Sequence, residues 1–118
     1  MNTDEKTKAI LSELQAAHGE AIAMAFDLPS EAALQRAHRL LAQIACTLED
    51  LSTFEVAIGE DGTIEITGNP SSEFITIDIS PTGRQLSMSV RSVATGEVVR
   101  SADESNEQEV VRQLERAA

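Results

Sequence analysis

The spacing of the apolar residues changes once along this chain of 118 residues, at about Thr53. Before Thr53, apolar residues recur every three or four positions, which is typical of helices with one buried stripe. After it, apolar and polar residues alternate, which is typical of strands with one buried face. Because both patterns need a partner surface to cover their apolar side, the sequence predicts an α+β fold in which helices cover one face of a sheet.

Three helices are predicted, two before the sheet and one after it. The first spans residues 2–26, and the second spans residues 30–50, where Ser30 is a natural N-cap after Pro29. The short proline-containing link between them predicts a helical hairpin. The last helix spans residues 105–117 and opens on a capping-box pattern.

Five strands are predicted within residues 53–101, separated by turn sequences such as GEDG, SPTG and ATG. Because every connection is short, neighbouring strands should pair antiparallel as a meander. The whole chain has the length of a single domain. The four clearer strands supply eleven inward apolar side chains: Phe54, Val56, Ile58, Ile64, Ile66, Ile75, Ile77, Ile79, Leu86, Met88 and Val90.

The opposite face of the predicted sheet is polar, and it is the candidate partner-binding face. Two interpretations stay open for it, a solvated face or a flat polar surface for a partner. Alternation also places Phe74 outward, either as an anchor for a partner or beneath a loop or edge. The candidate residues are Glu55, Glu65, Thr67, Phe74, Thr76, Asp78, Ser87, Ser89 and Arg91.

Motifs that carry catalysis are missing from the sequence. It has no glycine-rich phosphate loop, no G-x-S-x-G elbow and no cysteine pair with zinc spacing. His18 and His38 lie at the edges of the apolar helical stripes, where they could bind zinc with Glu20 or make local hydrogen bonds, and the second interpretation is favoured. The lone Cys46 is predicted to be a small buried hydrophobe. We therefore predict no catalytic residue, no metal and no cofactor, and we expect a protein that is not an enzyme.

The charge is strongly negative, since twenty acidic residues stand against nine basic ones and give a net charge of -11. This disfavours direct nucleic-acid binding, which depends on Lys and Arg. The charge has two interpretations, solubility, which is favoured, and attraction to another protein that is basic. The N-terminus carries Asp4 and Glu5 where a signal peptide would carry bases. No apolar run approaches the roughly 20 residues of a membrane span, so we expect a cytoplasmic protein that does not enter a membrane.

Three stretches of the chain, LPSEAALQRAHRLLAQI, VAIGEDGTIEITG and FITIDISPTGRQLSMSV, together resemble a pattern in small uncharacterised bacterial proteins. In that pattern a Pro-Ser-capped helix leads to a strand, an Asp-Gly turn, a second strand and another hairpin. The match covers about residues 28–100, but the Trp-Asp-Gly often found before the helix is missing here. The resemblance implies a bacterial or phage origin and the same fold, and it implies no activity and no site residues.

These features favour a non-enzymatic domain that binds another protein, of the inhibitor, antitoxin, immunity, chaperone or adaptor type. A homodimer is expected as well, because the alanine-rich first helix leaves Met24 and Phe26 beyond its single stripe. One alternative is a nucleic-acid mimic that inhibits a basic protein, although the interspersed Arg84, Arg91 and Arg100 weaken it. The other is a small-ligand or enzymatic domain with its site between sheet and helices.

Overall fold

The computed structural model describes residues 2–102 and 107–117. Three helices and a five-stranded antiparallel sheet follow in the order α-α-β-β-β-β-β-α, which confirms the predicted α+β fold. The strands lie in the sheet in their chain order, so the sheet is a meander. The elements are α1 (Thr3–Ala23), α2 (Glu31–Thr47), β1 (Glu55–Ile58), β2 (Ile64–Gly68), β3 (Glu73–Ile79), β4 (Leu86–Ser92), β5 (Val98–Ala102) and α3 (Glu107–Ala117).

Helix α1 ends at Ala23, three residues before the predicted end. Ala25 adopts a left-handed conformation with φ 57°, which stops the helix. The Phe26 amide donates to the Ala21 carbonyl at 3.0 Å, and the Ala25 amide donates to the Ile22 carbonyl at 3.1 Å. This pair of bonds is a Schellman motif with alanine at the position where glycine is usual. Phe26 is thereby turned back so that it packs against the core.

Helix α2 begins as predicted and ends at Thr47, earlier than residue 50. The Ser30 side chain accepts a hydrogen bond from the Ala33 amide at 3.1 Å and so caps the helix. Leu48 is already extended, and its carbonyl accepts a hydrogen bond from Lys6 Nζ of α1 at 2.8 Å. The second helix packs on the first, which forms the predicted hairpin.

The core lies between the two helices of the hairpin and the inward face of the sheet. Ten of the eleven predicted inward side chains are buried. The exception is Val56 of the edge strand β1, which is half-buried and packs against the core. Helix α1 packs directly on β1, and α2 also contacts β3. Because successive strand residues point to opposite faces, the side chains between the buried ones form a face that no described helix covers.

Phe54 and Gly68 form a close pair inside this core. Phe54 directly precedes β1 and is 2% exposed, whereas Gly68 ends β2 on the inward side. A Cβ atom built on Gly68 would lie 2.6 Å from three atoms of the Phe54 ring. Real side chains essentially never approach so closely, so the ring occupies the space that a larger residue at position 68 would need.

The segment between α1 and α2, residues 24–30, is the helix link, and it joins the helices to the tips of two hairpins. The Asp27 amide donates to the Glu60 carbonyl at 3.0 Å in the β1–β2 tip, and the Ser30 amide donates to the Pro81 carbonyl at 2.8 Å in the β3–β4 tip. Gly83 of the second tip has φ +77°, and a Cβ there would lie 2.8 Å from the Ala33 nitrogen. The glycine therefore allows the tip to touch the start of α2.

Helix α3 packs on α2 at the far side of the hairpin. Val110 and Leu114 are buried, and Glu107 accepts a hydrogen bond from Arg36 Nε at 3.0 Å. The predicted helix began at residue 105, and its first residues, with the capping box that Ser105 was expected to form, lie outside the described residues.

Strand β5 pairs with β4 through an irregular register. Arg91 lies opposite Val98 and Val90 lies opposite Arg100, so Val99 is an extra residue. This is the geometry of a β-bulge, which bends an edge strand. Val98 and Val99 are adjacent apolar residues, so alternation does not decide which of them faces the core, and the structure exposes each of them by 48%.

Candidate functional site

The nine candidate residues of the uncovered face form three rows across the sheet. We call this surface the outward face. The strand register alone brings them together, since each row consists of residues that lie opposite one another on neighbouring strands. None of the nine is buried. The rows are Glu55–Thr67–Thr76–Ser89, Glu65–Asp78–Ser87, and Phe74–Arg91.

Two carboxylates stand directly opposite each other in the row Glu65–Asp78–Ser87, at one end of the outward face. Glu65 of β2 is the cross-strand partner of Asp78 of β3. Burial raises the pKa of the half-buried Asp78 carboxyl, and the negative charge of Glu65 raises it further. Across residues 2–102 and 107–117, neither carboxylate forms an ion pair with a Lys or Arg. Because like charges in such a pair destabilise a sheet, the pair is a place where a cation would be favourable.

Glu55, on the edge strand β1, also lies near a second carboxylate, which belongs to α1. Burial raises the pKa of Glu13 on α1, and the charge of Glu55 on β1 raises it as well. Glu55 itself is exposed, and Ala57 continues its strand toward the row that contains Glu65. The negative charges of the outward face are therefore concentrated on β1, β2 and β3.

Short hydroxyl side chains fill the middle of the outward face. Thr67, Thr76, Ser87 and Ser89 are all half-buried between their neighbours on adjacent strands. Ser101 of β5 lies opposite Ser89 and so extends the row Glu55–Thr67–Thr76–Ser89. It was not among the candidate residues. No long side chain therefore stands between the carboxylates and the opposite end of the face.

An apolar corner occupies that far end, and we define it as Phe74, Val98 and Val99. Arg91 lies opposite both Phe74 and Val98 in the register. Phe74 is 40% exposed, so it does not lie hidden beneath a described loop. The guanidinium of Arg91 donates to the Gly96 carbonyl at 3.3 Å, which directs it along the β4–β5 turn.

The two valines of the apolar corner were not among the predicted site residues. Their signal in the sequence was the pair of adjacent apolar residues in a strand whose facing could not be assigned. The bulge resolves this ambiguity, because it breaks the alternation on which the assignment depends. On the opposite side of the same strand, Arg100 pairs with Glu73 at 2.9 Å and does not contribute a free cation to the outward face.

The two histidines lie in a groove between α1 and α2. His18 and His38 line this groove of about 420 Å³ together with Leu14 and Leu34. Glu20 lies elsewhere, beside Met24 in a smaller depression against β1. Within the described part of the chain, no cluster of three or more His, Cys, Asp or Glu side chains has the geometry to hold a metal ion.

Cys46 is exposed, so the prediction of a buried cysteine is wrong. The buried stripe of α2 passes through Ile44 and Ala45 instead, and the next residue points away from it. Cys46 lines a shallow groove between α2 and α3 beside Gln108 and Arg112. Among the described residues that line this groove there is no histidine, the usual base for a cysteine nucleophile.

The space between sheet and helices is filled by apolar side chains. The inward isoleucines of β2 and β3 are fully buried, as are the facing leucines of α2, Leu40 and Leu41. A depression of about 370 Å³ lies at the margin, where Lys6 and Glu13 of α1 face the segment that contains Leu51 and Phe54. This arrangement leaves the outward face as the largest assembly of candidate residues.

Comparison of the chain with known protein families, with curated proteins and with solved structures gives no match. The resemblance to small bacterial proteins therefore stays a prediction. Of the helices in residues 2–102 and 107–117, none combines the length and the apolar content that crossing a membrane requires.

Proposed function

We propose that this chain is a non-enzymatic protein-binding domain that acts by association through its outward face, with a basic protein as partner. One observation carries the proposal. The sheet has a face that no described helix covers, and this face combines an exposed aromatic side chain with unpaired carboxylates. Such a combination of an apolar anchor and charged surroundings is common in protein interfaces.

The apolar corner supports association because it is costly to leave in water. Phe74, Val98 and Val99 are each 40% exposed or more, although the inward positions of the same sheet are closed. Single exposed apolar residues need no explanation, but three of them at one corner of a sheet face are typical of binding surfaces, with Arg91 standing between Phe74 and the two valines. An aromatic side chain in such a place gives a large contact area at a small entropic cost.

The carboxylates support a basic partner. Glu65 and Asp78 oppose each other without an internal cation, and the whole chain carries a net charge of -11. A Lys or Arg from a partner would relieve the repulsion within the pair, and the long-range field would accelerate the encounter.

The experiment is capture of the partner from the native host with the tagged protein, read by mass spectrometry. The double variant Glu65→Lys/Asp78→Lys reverses charge on the outward face, whereas Glu115→Lys reverses charge on the exposed side of α3. We expect one basic protein to be captured by the wild type and by Glu115→Lys, and to be lost with the double variant. Equal capture by all three proteins would show that the outward face is a solvated surface without a role in binding, and would refute the proposal.

Nucleic-acid mimicry is the second candidate for the same acidic side chains. Adjacent carboxylates on β2 and β3 favour it, since they present negative charges on neighbouring strands. Arg91 and the apolar corner occupy the rest of the face, however, and a phosphate backbone has no counterpart to them. Mimicry predicts affinity that collapses with salt, whereas an interface with an apolar anchor should keep most of its affinity.

Homodimerisation is a separate proposal that concerns the end of α1. Of the two residues that prompted it, Phe26 packs against the core, but Met24 is 56% exposed and Ile22 is equally exposed beside it. Sedimentation at high micromolar concentration tests it, with Met24→Lys as the variant that should dissociate a dimer. A wild-type monomer under these conditions would end this proposal without touching the outward face.

A further inference from the structure

The acidic pair and the apolar corner of the outward face are held at a fixed distance from each other. Phe74 and Asp78 lie on the same strand, four residues apart, and both face outward. At a rise of about 3.3 Å per residue their Cα atoms are separated by about 13 Å. Because β3 is the central strand of the sheet, paired on both sides, this separation is rigid.

Nothing protrudes between these two points. The residue midway along β3 is Thr76, and its cross-strand neighbours are Thr67 and Ser89. All three are half-buried and short. A single partner surface can therefore touch the corner and the acidic pair at the same time without a gap or a clash in the middle.

Arg91 makes the two ends unequal in charge. It is exposed and lies directly between Phe74 and Val98, so it repels a cation at the apolar corner. At the other end, Glu65 and Asp78 attract one. A partner with an apolar side chain and cations is thereby accepted in one orientation and opposed in the reverse one, which is how unlike charges give specificity.

We infer that the outward face recognises a two-point motif, an apolar side chain and a pair of Lys or Arg residues about 13 Å from it on one surface of a basic protein. This inference rests on the proposed function, and it adds the chemistry and the spacing of the partner. The apolar side chain of the partner packs against Phe74, from which the spacing is measured, and the cations contact Glu65 and Asp78. The hydroxyl side chains between them contribute shape complementarity and little binding free energy.

Synthetic helical peptides serve as rulers for this spacing. In an alanine-rich helix, arginines about seven and eleven residues after a leucine share its face and lie about 10 to 17 Å along the axis. A second peptide of the same composition carries the arginines about three and four residues after the leucine, within about 6 Å. A third replaces the leucine of the first by alanine. Binding is measured by fluorescence anisotropy at physiological ionic strength, and the contact surface is mapped by amide chemical shifts.

We expect the long-spaced peptide to bind about tenfold more tightly than either control, a difference typical of one good anchor. Its shifts should include Thr76 and Ser89 in the middle of the face. The preference should disappear with Phe74→Ser and with Asp78→Asn, and it should persist with Glu115→Lys. The substituted face residues are not buried, so these variants should keep the fold.

Other outcomes separate this inference from the function beneath it. Equal affinity for all three peptides, with shifts on the outward face, would overturn the two-point spacing and keep the face as a binding site. Shifts in the groove between α1 and α2 would overturn the assignment of the face as well. Absence of binding by every peptide would overturn the inference, and the proposed function would then depend on the capture experiment alone.

Discussion

The substitution Gly68→Ala tests how tightly the sheet closes over Phe54. The added Cβ would lie 2.6 Å from three atoms of the ring, whereas carbon atoms in contact prefer about 3.5 to 4.0 Å. The ring must therefore move by about 1 Å. A depression of about 370 Å³ that Phe54 itself lines offers space for this movement. We accordingly place the cost in the lower part of the overpacking range, at about 1 to 2 kcal/mol.

This cost is measurable by urea unfolding followed by far-UV circular dichroism, which suits a chain without Trp or Tyr. The expected loss corresponds to a Tm lowered by about 4 to 8 °C. The matched control is Phe54→Leu, which removes Cε2 and Cζ, two of the three ring atoms in conflict, and leaves a smaller apolar side chain. In that background Gly68→Ala should cost less than about 0.5 kcal/mol, because alanine is intrinsically better than glycine within a strand.

Two results would refute the reasoning. If Gly68→Ala leaves the free energy of unfolding unchanged, the ring is not confined as the 2.6 Å approach implies. If the substitution costs the same with Phe54 and with leucine at position 54, the loss comes from the backbone of β2 and not from the ring.

Three further substitutions should stabilise the protein, each for a different reason. Ala25→Gly removes the strain of φ 57° at the end of α1 and should add about 1 kcal/mol to the free energy of unfolding; a loss would contradict the Schellman geometry. Gly19→Ala should add about 0.5 to 1 kcal/mol, since nothing lies within 4 Å of the new Cβ in this helical position. Asp78→Asn removes the repulsion by Glu65 and should add about 0.2 to 1 kcal/mol at neutral pH. Because the pKa of Asp78 is raised in the folded protein, the wild type takes up a proton on folding and gains stability as pH falls toward 3.8. The stability advantage of Asp78→Asn should therefore shrink as pH falls, which urea unfolding at several pH values measures. An advantage that stays constant with pH would refute the assignment.

The sequence predicted the layers and the faces well, because alternation and helical spacing are local properties. Once Ile75 and Ile77 point inward, Thr76 must point outward, and ten of eleven predicted core side chains of the sheet are indeed buried. The helix ends were less predictable. Ala25 ends α1 in a left-handed conformation that alanine rarely adopts. Because glycine is the usual residue at this position, the sequence lacks the signal from which the helix end could be predicted.

The candidate site was predictable in its members and not in its arrangement. The outward residues follow from alternation, but the direct opposition of Glu65 and Asp78 depends on the register between β2 and β3. Likewise, the exposure of Val98 and Val99 depends on a bulge that the sequence does not specify. Contacts between distant segments, such as the helix link with the two hairpin tips, arise from backbone groups, and the glycines that permit them are also what any tight turn could contain.

The helix link also decides where this protein can be opened for engineering. In sequence, the two tips with Gly62 and Gly83 resemble ideal sites for an inserted epitope or a circular permutation. In the folded chain both glycines lie against backbone of the helix link or the start of α2, so extra residues there would separate the helices from the sheet. The β4–β5 turn is different, because nothing lies within 4 Å of a Cβ at Gly96. A reporter domain inserted at Gly96 would leave the layers intact, and it would stand beside the apolar corner, where its signal would respond to occupation of the outward face.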